Sequence, residues 1–158
     1  MSVAFTREED LEATAADLPD RPISPHPNLV TAAGLARIEQ ELAEARAAYA
    51  AAQARGSIEA DRTAIARATR DLRYWSARRG NAQLVETTPD GRVRFGGTVT
   101  IEREDDRTQT WRIVGEDEAD PAKGSVSHVS PLARALIGKS VGDVVSINGQ
   151  EAEVVGVD

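Results

Sequence analysis

The sequence contains no cysteine, only one methionine and two histidines, and two each of tryptophan, tyrosine and phenylalanine. Without cysteine there is no disulfide framework, no thiolate nucleophile and no cysteine-ligated zinc site. The histidines, His26 and His128, are isolated from each other and lack the helical spacing of a metal-binding pair, so we interpret both as structural. A G-x-S-x-G elbow and a phosphate-binding glycine loop are also missing. Conventional enzyme signatures are therefore absent.

Long apolar runs are missing as well. No stretch of the sequence approaches the length of a membrane-spanning segment, and the first ten residues carry acids where a signal peptide would be apolar. We therefore expect a cytoplasmic protein that does not bind a membrane. The net charge of −7 argues against a general nucleic-acid binder, because such proteins carry a basic excess.

The charge is distributed unevenly along the chain. Residues 1–30 hold six acids and two basic residues, and residues 84–158 hold fourteen acids and eight basic residues. Residues 31–83 instead hold nine arginines and six acids. A locally basic arm on an acidic body favours a partner of mixed charge, and the alternative is that these arginines only keep a long exposed helix soluble.

The first part of the chain divides into a tail and a helical hairpin. Residues 1–30 are predicted to be a proline-containing tail, because prolines in "DRPISPHPN" prevent regular helix or central strand. Residues 31–83 are predicted to form two antiparallel helices, the first capped by Thr31, with a break at Gly56 and Ser57. Apolar residues recur there at steps of three and four, as in a coiled coil. This seam consists of Leu35, Ile38, Leu42, Ala45, Tyr49 and Ala52 in the first helix and Ile65, Ala68, Leu72 and Trp75 in the second.

Residues 84–158 change to a period of two, with turn signals such as "PDG" and "NGQ" between short runs. One short helix interrupts this pattern, with Ser130 as its N-cap, Pro131 at its first position and Gly138 after its end. Its predicted apolar face is Leu132, Ala135 and Leu136. The pattern predicts a small antiparallel sheet packed on one helix, so the whole chain is assigned to the α+β class.

Three strings of this second half resemble the C-terminal domain of the bacterial Gre factors, the GreA/GreB-like transcription elongation factors that promote transcript cleavage. They are "VRFGGTVTIERED", "WRIVGEDEADPAKGSVSHVSPLARALIGKSVGD" and "EAEVVGV". The resemblance implies an FKBP-like fold for this domain and RNA polymerase as the partner. It further implies that the domain docks at the rim of the secondary channel while the hairpin enters it, so that nucleic acid is met only within the polymerase complex.

The family's docking contacts correspond here to Val129, Ser130 and Pro131. A helix N-terminus that contains proline exposes a rigid, shallow surface with unpaired N–H groups. The alternative is that Ser130 and Pro131 only start the helix. The acidic string "GEDEADPAKG", just upstream, lacks the spacing of a calcium loop, and we interpret it as a solvated or partner-facing loop.

The predicted tip of the hairpin departs from the family's cleavage motif, G-D-L-x-E-N-A-E-Y, whose leading acids help hold the second magnesium ion of the polymerase active site. Gly56 matches the glycine, but Ser57 and Ala60 stand where the acids should be. The acids that remain, Glu59 and Asp61, are separated by about 200° if they lie on a helix, and they converge on one ion only in an extended segment. The alternative is that both acids interact with the helix dipole after a Ser57 cap.

The resemblance and the altered tip together favour a polymerase-binding regulator of elongation that stimulates cleavage weakly or not at all. It would not be an enzyme itself and would hold no cofactor, the magnesium being that of the polymerase. One alternative is an active cleavage-stimulating factor that uses the displaced acids Glu59 and Asp61; another is an FKBP-type isomerase or chaperone. The hairpin also looks shorter than in typical cleavage factors, which makes the chain similar to the short-hairpin relative Rnk.

Overall fold

The computed structural model of the protein describes residues 18–55 and 59–158, without the side chains of residues 59–61. Helices dominate the first half and strands the second, so the predicted α+β class is confirmed. In chain order the elements are β1 (Asn28–Val30), α1 (Ala32–Ala54), α2 (Glu59–Gly80), β2 (Ala82–Leu84), β3 (Thr98–Arg103), β4 (Thr108–Val114), a 3₁₀ turn (Pro121–Lys123), β5 (Ser125–Ser127), α3 (Pro131–Leu136), β6 (Val144–Ile147) and β7 (Gln150–Val157).

Helix α1 begins directly after Thr31, as the sequence predicts. The Thr31 hydroxyl accepts a hydrogen bond from the Gly34 amide at 3.0 Å, which satisfies one of the unpaired N–H groups of the first turn. The predicted seam of this helix lies inward. Four of its residues are buried, Ile38, Leu42, Ala45 and Ala52, and two are half-buried, Leu35 and Tyr49.

Helix α2 continues the hairpin with its own seam. Ala68 and Trp75 are buried, and Ile65 and Leu72 are half-buried. The inward face extends three residues beyond Trp75 to Arg78, whose side chain is 1% exposed and which the sequence analysis did not include. The helices hold 23 and 22 residues, so each is about 33–35 Å long. The break predicted at Gly56 and Ser57 lies outside the described residues.

Residues 18–25, which we call the strap, lie along α2. The Arg21 guanidinium stacks 3.8 Å from the centroid of the Tyr74 ring and forms an ion pair with Asp71 at 3.6 Å. A cation above an aromatic face is attracted by the ring quadrupole. Residues 18–25 of the predicted tail are thus docked on the hairpin, and residues 1–17 of the tail lie outside the described residues.

The end of the predicted tail is a short strand of a two-stranded sheet, where the sequence predicted neither regular helix nor a central strand. Strand β1 pairs in parallel with β2, in register from Asn28 with Ala82 to Val30 with Leu84. Pro27 directly precedes the strand, where its missing N–H removes no hydrogen bond from the ladder. Asn28 and Val30 are each 2% exposed, so the strand is part of the packed interior.

The main sheet has five strands in the order β5-β4-β3-β7-β6. The β3–β4, β3–β7 and β6–β7 pairs are antiparallel, but β4 and β5 are parallel, with Arg112 opposite Ser125 and Val114 opposite Ser127. The predicted purely antiparallel sheet is therefore wrong at this edge. The segment Gly115–Gly124, with its 3₁₀ turn, is a crossover rather than a hairpin turn, and a crossover allows parallel pairing.

The string "RVRFGG", residues 92–97, lies within the half of the sequence that has a period of two, but it is mainly loop. Only Arg92 forms an isolated bridge, with Ser140. Gly96 has φ of 81°, a left-handed conformation that favours glycine, and the Gly97 amide closes a turn onto the Arg94 carbonyl at 3.0 Å. The alternation in this string reflects Val93 and Phe95 entering the core from a loop.

The core of the sheet domain lies between the sheet and α3. Ala133 and Leu136 of this helix are fully buried, whereas Leu132 and Ala135 of the predicted apolar face are only partly buried. The fully buried residues are therefore the i, i+3 pair Ala133 and Leu136, so the inward face is shifted by one position from the predicted one. The sheet and its loops contribute Val93, Phe95, Val99, Ile101, Ile113, Val126, Val145, Ile147, Ala152 and Val154.

The chain forms two compact units. The hairpin unit contains Arg37–Asn81 together with the strap, and the sheet unit contains His26–Ala36 and Ala82–Asp158. These units are defined by contacts, whereas the divisions predicted at residues 30/31 and 83/84 are defined by sequence pattern and stay predictions. None of the described helices combines the length and the apolar character needed to cross a bilayer.

Candidate functional site

The residues assigned to docking by resemblance, Val129, Ser130 and Pro131, are consecutive at the start of α3. The Ser130 hydroxyl accepts a hydrogen bond from the Ala133 amide at 3.2 Å, and its carbonyl accepts one from the Arg134 amide at 3.0 Å. Pro131 occupies the first helical position and is exposed. The predicted cap is confirmed, so Ser130 has a structural role in addition to any contact with a partner.

Ser127 supports this segment from the end of β5, a role that the sequence analysis missed. Its hydroxyl accepts a hydrogen bond from the Val129 amide at 3.2 Å, and its carbonyl accepts one from the Ser130 amide at 3.0 Å. The amide of His128, between them, donates to the Val114 carbonyl at 2.9 Å. Every backbone amide from His128 to Ser130 is therefore satisfied within the domain. The tendency of serine to bond to backbone two residues onward was the available signal.

Exposed apolar side chains follow the same helix in the chain. Ile137 directly follows α3 and is 37% exposed, and Val141 and Val144 are 61% and 59% exposed. Gly138, between them, has φ of 85°, and its amide donates to the Val93 carbonyl at 2.8 Å. Exposed branched apolar residues therefore follow Pro131 in the chain, interspersed with the exposed charged residues Arg134, Lys139 and Asp143. Exposed apolar side chains of this kind suit a contact with another macromolecule.

The two histidines occupy ordinary structural positions. His26 is exposed at the start of the segment that leads into β1, and His128 is half-buried. The His128 ring packs edge-on against Phe95, with 5.5 Å between ring centroids and an interplanar angle of 85°. This arrangement is the favourable one for two aromatic rings.

The acidic loop after β4, which the sequence indicated to be solvated or partner-facing, is turned partly inward at Glu118. The Thr31 hydroxyl donates a short hydrogen bond to one oxygen of Glu118, and Arg112 lies 3.6 Å from the other. Thr31 is the cap of α1, so Glu118 fastens the first turn of α1 to the sheet. Among the described residues, no three histidine or acidic side chains come together in an arrangement that could hold a metal ion.

The tip acids belong to the other compact unit. Helix α2 begins at Glu59, so the backbone of both Glu59 and Asp61 is helical. Positions two apart on a helix are separated by about 200° around its axis. The side chains of these two residues lie outside the described part, as do Gly56 and Ser57 entirely, and the catalytic assignment of Glu59 and Asp61 stays a prediction.

Comparisons with known proteins identify the family. The sequence model described as Transcription elongation factor, GreA/GreB, C-term matches residues 88–157. The transcription elongation factor GreA of Thioalkalivibrio sulfidiphilus is 35% identical over 139 residues, which cover 83% of this chain and 82% of that protein. GreA of Pseudomonas aeruginosa is 39% identical over 131 residues, covering 75% and 77%. This chain belongs to the GreA/GreB family.

As a GreA/GreB-family protein, the chain also matches solved structures. The crystal structure of GreA factor homolog 1 (Gfh1) of Thermus thermophilus covers 84% of this chain and 99% of its own, with 22% identity and a TM-score of 0.40. The GreA/GreB C-terminal match contains α3 and residues 129–131, whereas the strap, α1 and α2 precede it. Nothing in these comparisons supports the FKBP-like label or the isomerase and chaperone alternative.

Proposed function

We propose that this GreA/GreB-family protein is a regulator of transcription elongation that binds RNA polymerase and stimulates transcript cleavage weakly or not at all. The observation that carries this proposal is the helical backbone of Glu59 and Asp61. Because helical positions two apart diverge by about 200°, this pair does not reproduce acids three residues apart. The protein acts in the cytoplasm and is not an enzyme; any cleavage is the intrinsic activity of the polymerase, with the polymerase's own magnesium.

The docking surface is the start of α3, formed by Val129, Ser130 and Pro131. Its support is the set of backbone and cap hydrogen bonds around Ser127 and Ser130, which hold the segment in one conformation before any partner arrives. A segment that is already ordered loses little conformational entropy on binding. Pro131 adds a rigid apolar ring to the exposed face.

A binding experiment tests this docking surface. Fluorescently labelled protein is titrated with core RNA polymerase, and Pro131→Ala is expected to weaken binding about tenfold, equivalent to about 1.4 kcal/mol. The ring is lost while the Ser130 cap remains, so the helix start is preserved. Ser130→Asn keeps an N-capping side chain as well and is expected to weaken binding without lowering stability, unlike Ser130→Ala, which also loses about 1 kcal/mol of stability.

The matched control is Pro121→Ala. Pro121 is likewise exposed and occupies the first position of a short helical turn, the 3₁₀ turn of the sheet unit. This variant should bind the polymerase as the unaltered chain does. Undetectable binding of the unaltered chain would refute the proposed function, and equal weakening by Pro121→Ala and Pro131→Ala would refute the docking surface.

A cleavage experiment tests the second half of the proposal. A stalled, backtracked polymerase complex is incubated with magnesium and saturating protein, and the RNA length is followed with time. We expect shortening at the intrinsic rate of the polymerase, with a Gre factor that carries both motif acids as the positive control. Faster shortening that Glu59→Gln with Asp61→Asn abolishes would establish the alternative, a cleavage factor that uses displaced acids.

A further inference from the structure

Helix α2 carries a cavity lined partly by arginines, on the side where the strap lies. It measures about 290 Å³, and we call it the α2 groove. Its apolar lining residues are Leu18, Ile65 and Ala66, and its polar and charged lining residues are Asp20, Arg62, Thr69, Arg70 and Arg73. Leu18 is the first described residue, so the chain enters the described region inside this groove.

The strap runs parallel to α2. Arg21 contacts the ring of Tyr74, Asp20 forms an ion pair with Arg73 at 3.1 Å, and Leu18 lies among residues nearer to the start of the helix. At Leu18 the strap is therefore directed toward the start of α2, where Arg62 lies. Asp20 also shows the type of contact that the α2 groove can form, an ion pair between a carboxylate of the strap and an arginine of α2.

Charge identifies the occupant of the rest of the groove. Residues 1–17 hold five acids, Glu8, Glu9, Asp10, Glu12 and Asp17, and a single basic residue, Arg7. We propose that the α2 groove and its arginines are the docking site of this acidic N-terminal segment of the same chain. Docking there continues the strap toward the hairpin tip and screens the α2 arginines from other polyanions. The inference does not depend on the proposed function.

The N-terminal segment is long enough to span the groove up to the start of α2. The helix rises about 9 Å between Ile65 and Glu59, and three extended residues span that distance, since each covers about 3.3 Å. Because the segment is covalently connected to the helix, its effective concentration at the groove is high, and weak contacts are enough to hold it there. Short flexible linkers supply effective concentrations of about 1 mM, so a contact with a dissociation constant of that order is about half formed within the chain.

The absence of cysteine permits a direct test on the full chain. A nitroxide is attached to Thr6→Cys, and paramagnetic broadening of the amide signals of residues 62–69 is measured. We expect broadening that falls by at least half between about 0.1 M and about 1 M salt, as the Debye length shrinks from about 10 Å to about 3 Å. Arg62→Gln combined with Arg70→Gln should reduce it similarly at low salt.

The matched control keeps the tether and removes the charge. Glu8→Gln, Glu9→Gln, Asp10→Asn and Glu12→Gln in the labelled chain should leave only salt-independent broadening, whereas Arg46→Gln, an exposed arginine of α1, should change nothing. Equal broadening in the charged and neutralised chains would overturn the proposal. So would broadening seen only when labelled chains are mixed with isotopically labelled, nitroxide-free chains, because the occupant would then be a second copy.

Discussion

Gly115→Ala is expected to destabilise the sheet unit by about 3 kcal/mol, the upper part of the usual cost of overpacking. A β-carbon at this position would lie 2.4 Å from the Leu29 carbonyl oxygen and 3.7 Å from the Val30 α-carbon, both backbone atoms. Backbone cannot rotate away as a side chain does, so β1 itself must move. For a unit of this size the midpoint of thermal unfolding should fall by about 10–20 °C, as measured by circular dichroism.

The movement is costly because β1 is held on several sides. It is paired with β2, the Val85 amide donates to the Val30 carbonyl at 3.0 Å, and Val30 is 2% exposed. Displacing β1 therefore breaks ladder hydrogen bonds and opens the packed interior at once.

Gly34→Ala is the matched control, a second glycine without free space around it. Its β-carbon would approach Glu118 Oε1 to 2.5 Å, but that atom is the end of a side chain. Turning the carboxylate away loses the hydrogen bond to Thr31, which destabilises by about 1 kcal/mol. Replacing glycine by alanine within a helix stabilises by up to about 1 kcal/mol. We expect a net change near zero. A Gly115→Ala protein as stable as the Gly34→Ala protein would contradict the close packing of Gly115 on β1.

Local features of the fold were predictable from the sequence because their causes are local. The steps of three and four along α1 and α2 follow from helix periodicity, and the caps at Thr31 and Ser130 depend on residues within one turn. The parallel pairing of β1 with β2 was not predictable in this way. This pairing joins residues that precede the hairpin in the sequence to residues that follow it. The prolines just before Asn28 also argued against a strand.

The same distinction applies to the candidate site. The start of α3 could be assigned from Ser130 and Pro131 alone, but the inward orientation of Glu118 could not. Its partner Thr31 is 87 positions away, and an acidic string in a loop ordinarily indicates solvent exposure. Arg78 was missed for a related reason, since an arginine at a seam position contradicts the apolar pattern by which the seam is recognised.

Restoring the family acids at the tip is expected to convert this protein into a cleavage-stimulating factor. Ser57→Asp with Ala60→Glu restores the spacing of the two leading acids of the family motif, a spacing that places two carboxylates on one face wherever the segment is helical. Two converging carboxylates can help hold a second magnesium ion in the polymerase active site. We expect RNA shortening in backtracked complexes to accelerate at least tenfold over the unaltered chain, equivalent to a barrier lower by about 1.4 kcal/mol.

A control must separate the effect of adding two negative charges from the effect of placing them at the tip. Ala47→Asp with Ala50→Glu adds the same two charges at the same spacing to exposed positions of α1, and it should leave the cleavage rate unchanged. If the tip variant binds polymerase normally and still fails to accelerate cleavage, the altered acids are not what limits this protein. The length of the hairpin would then be the remaining cause, because a carboxylate pair that stops short of the active centre cannot hold the ion.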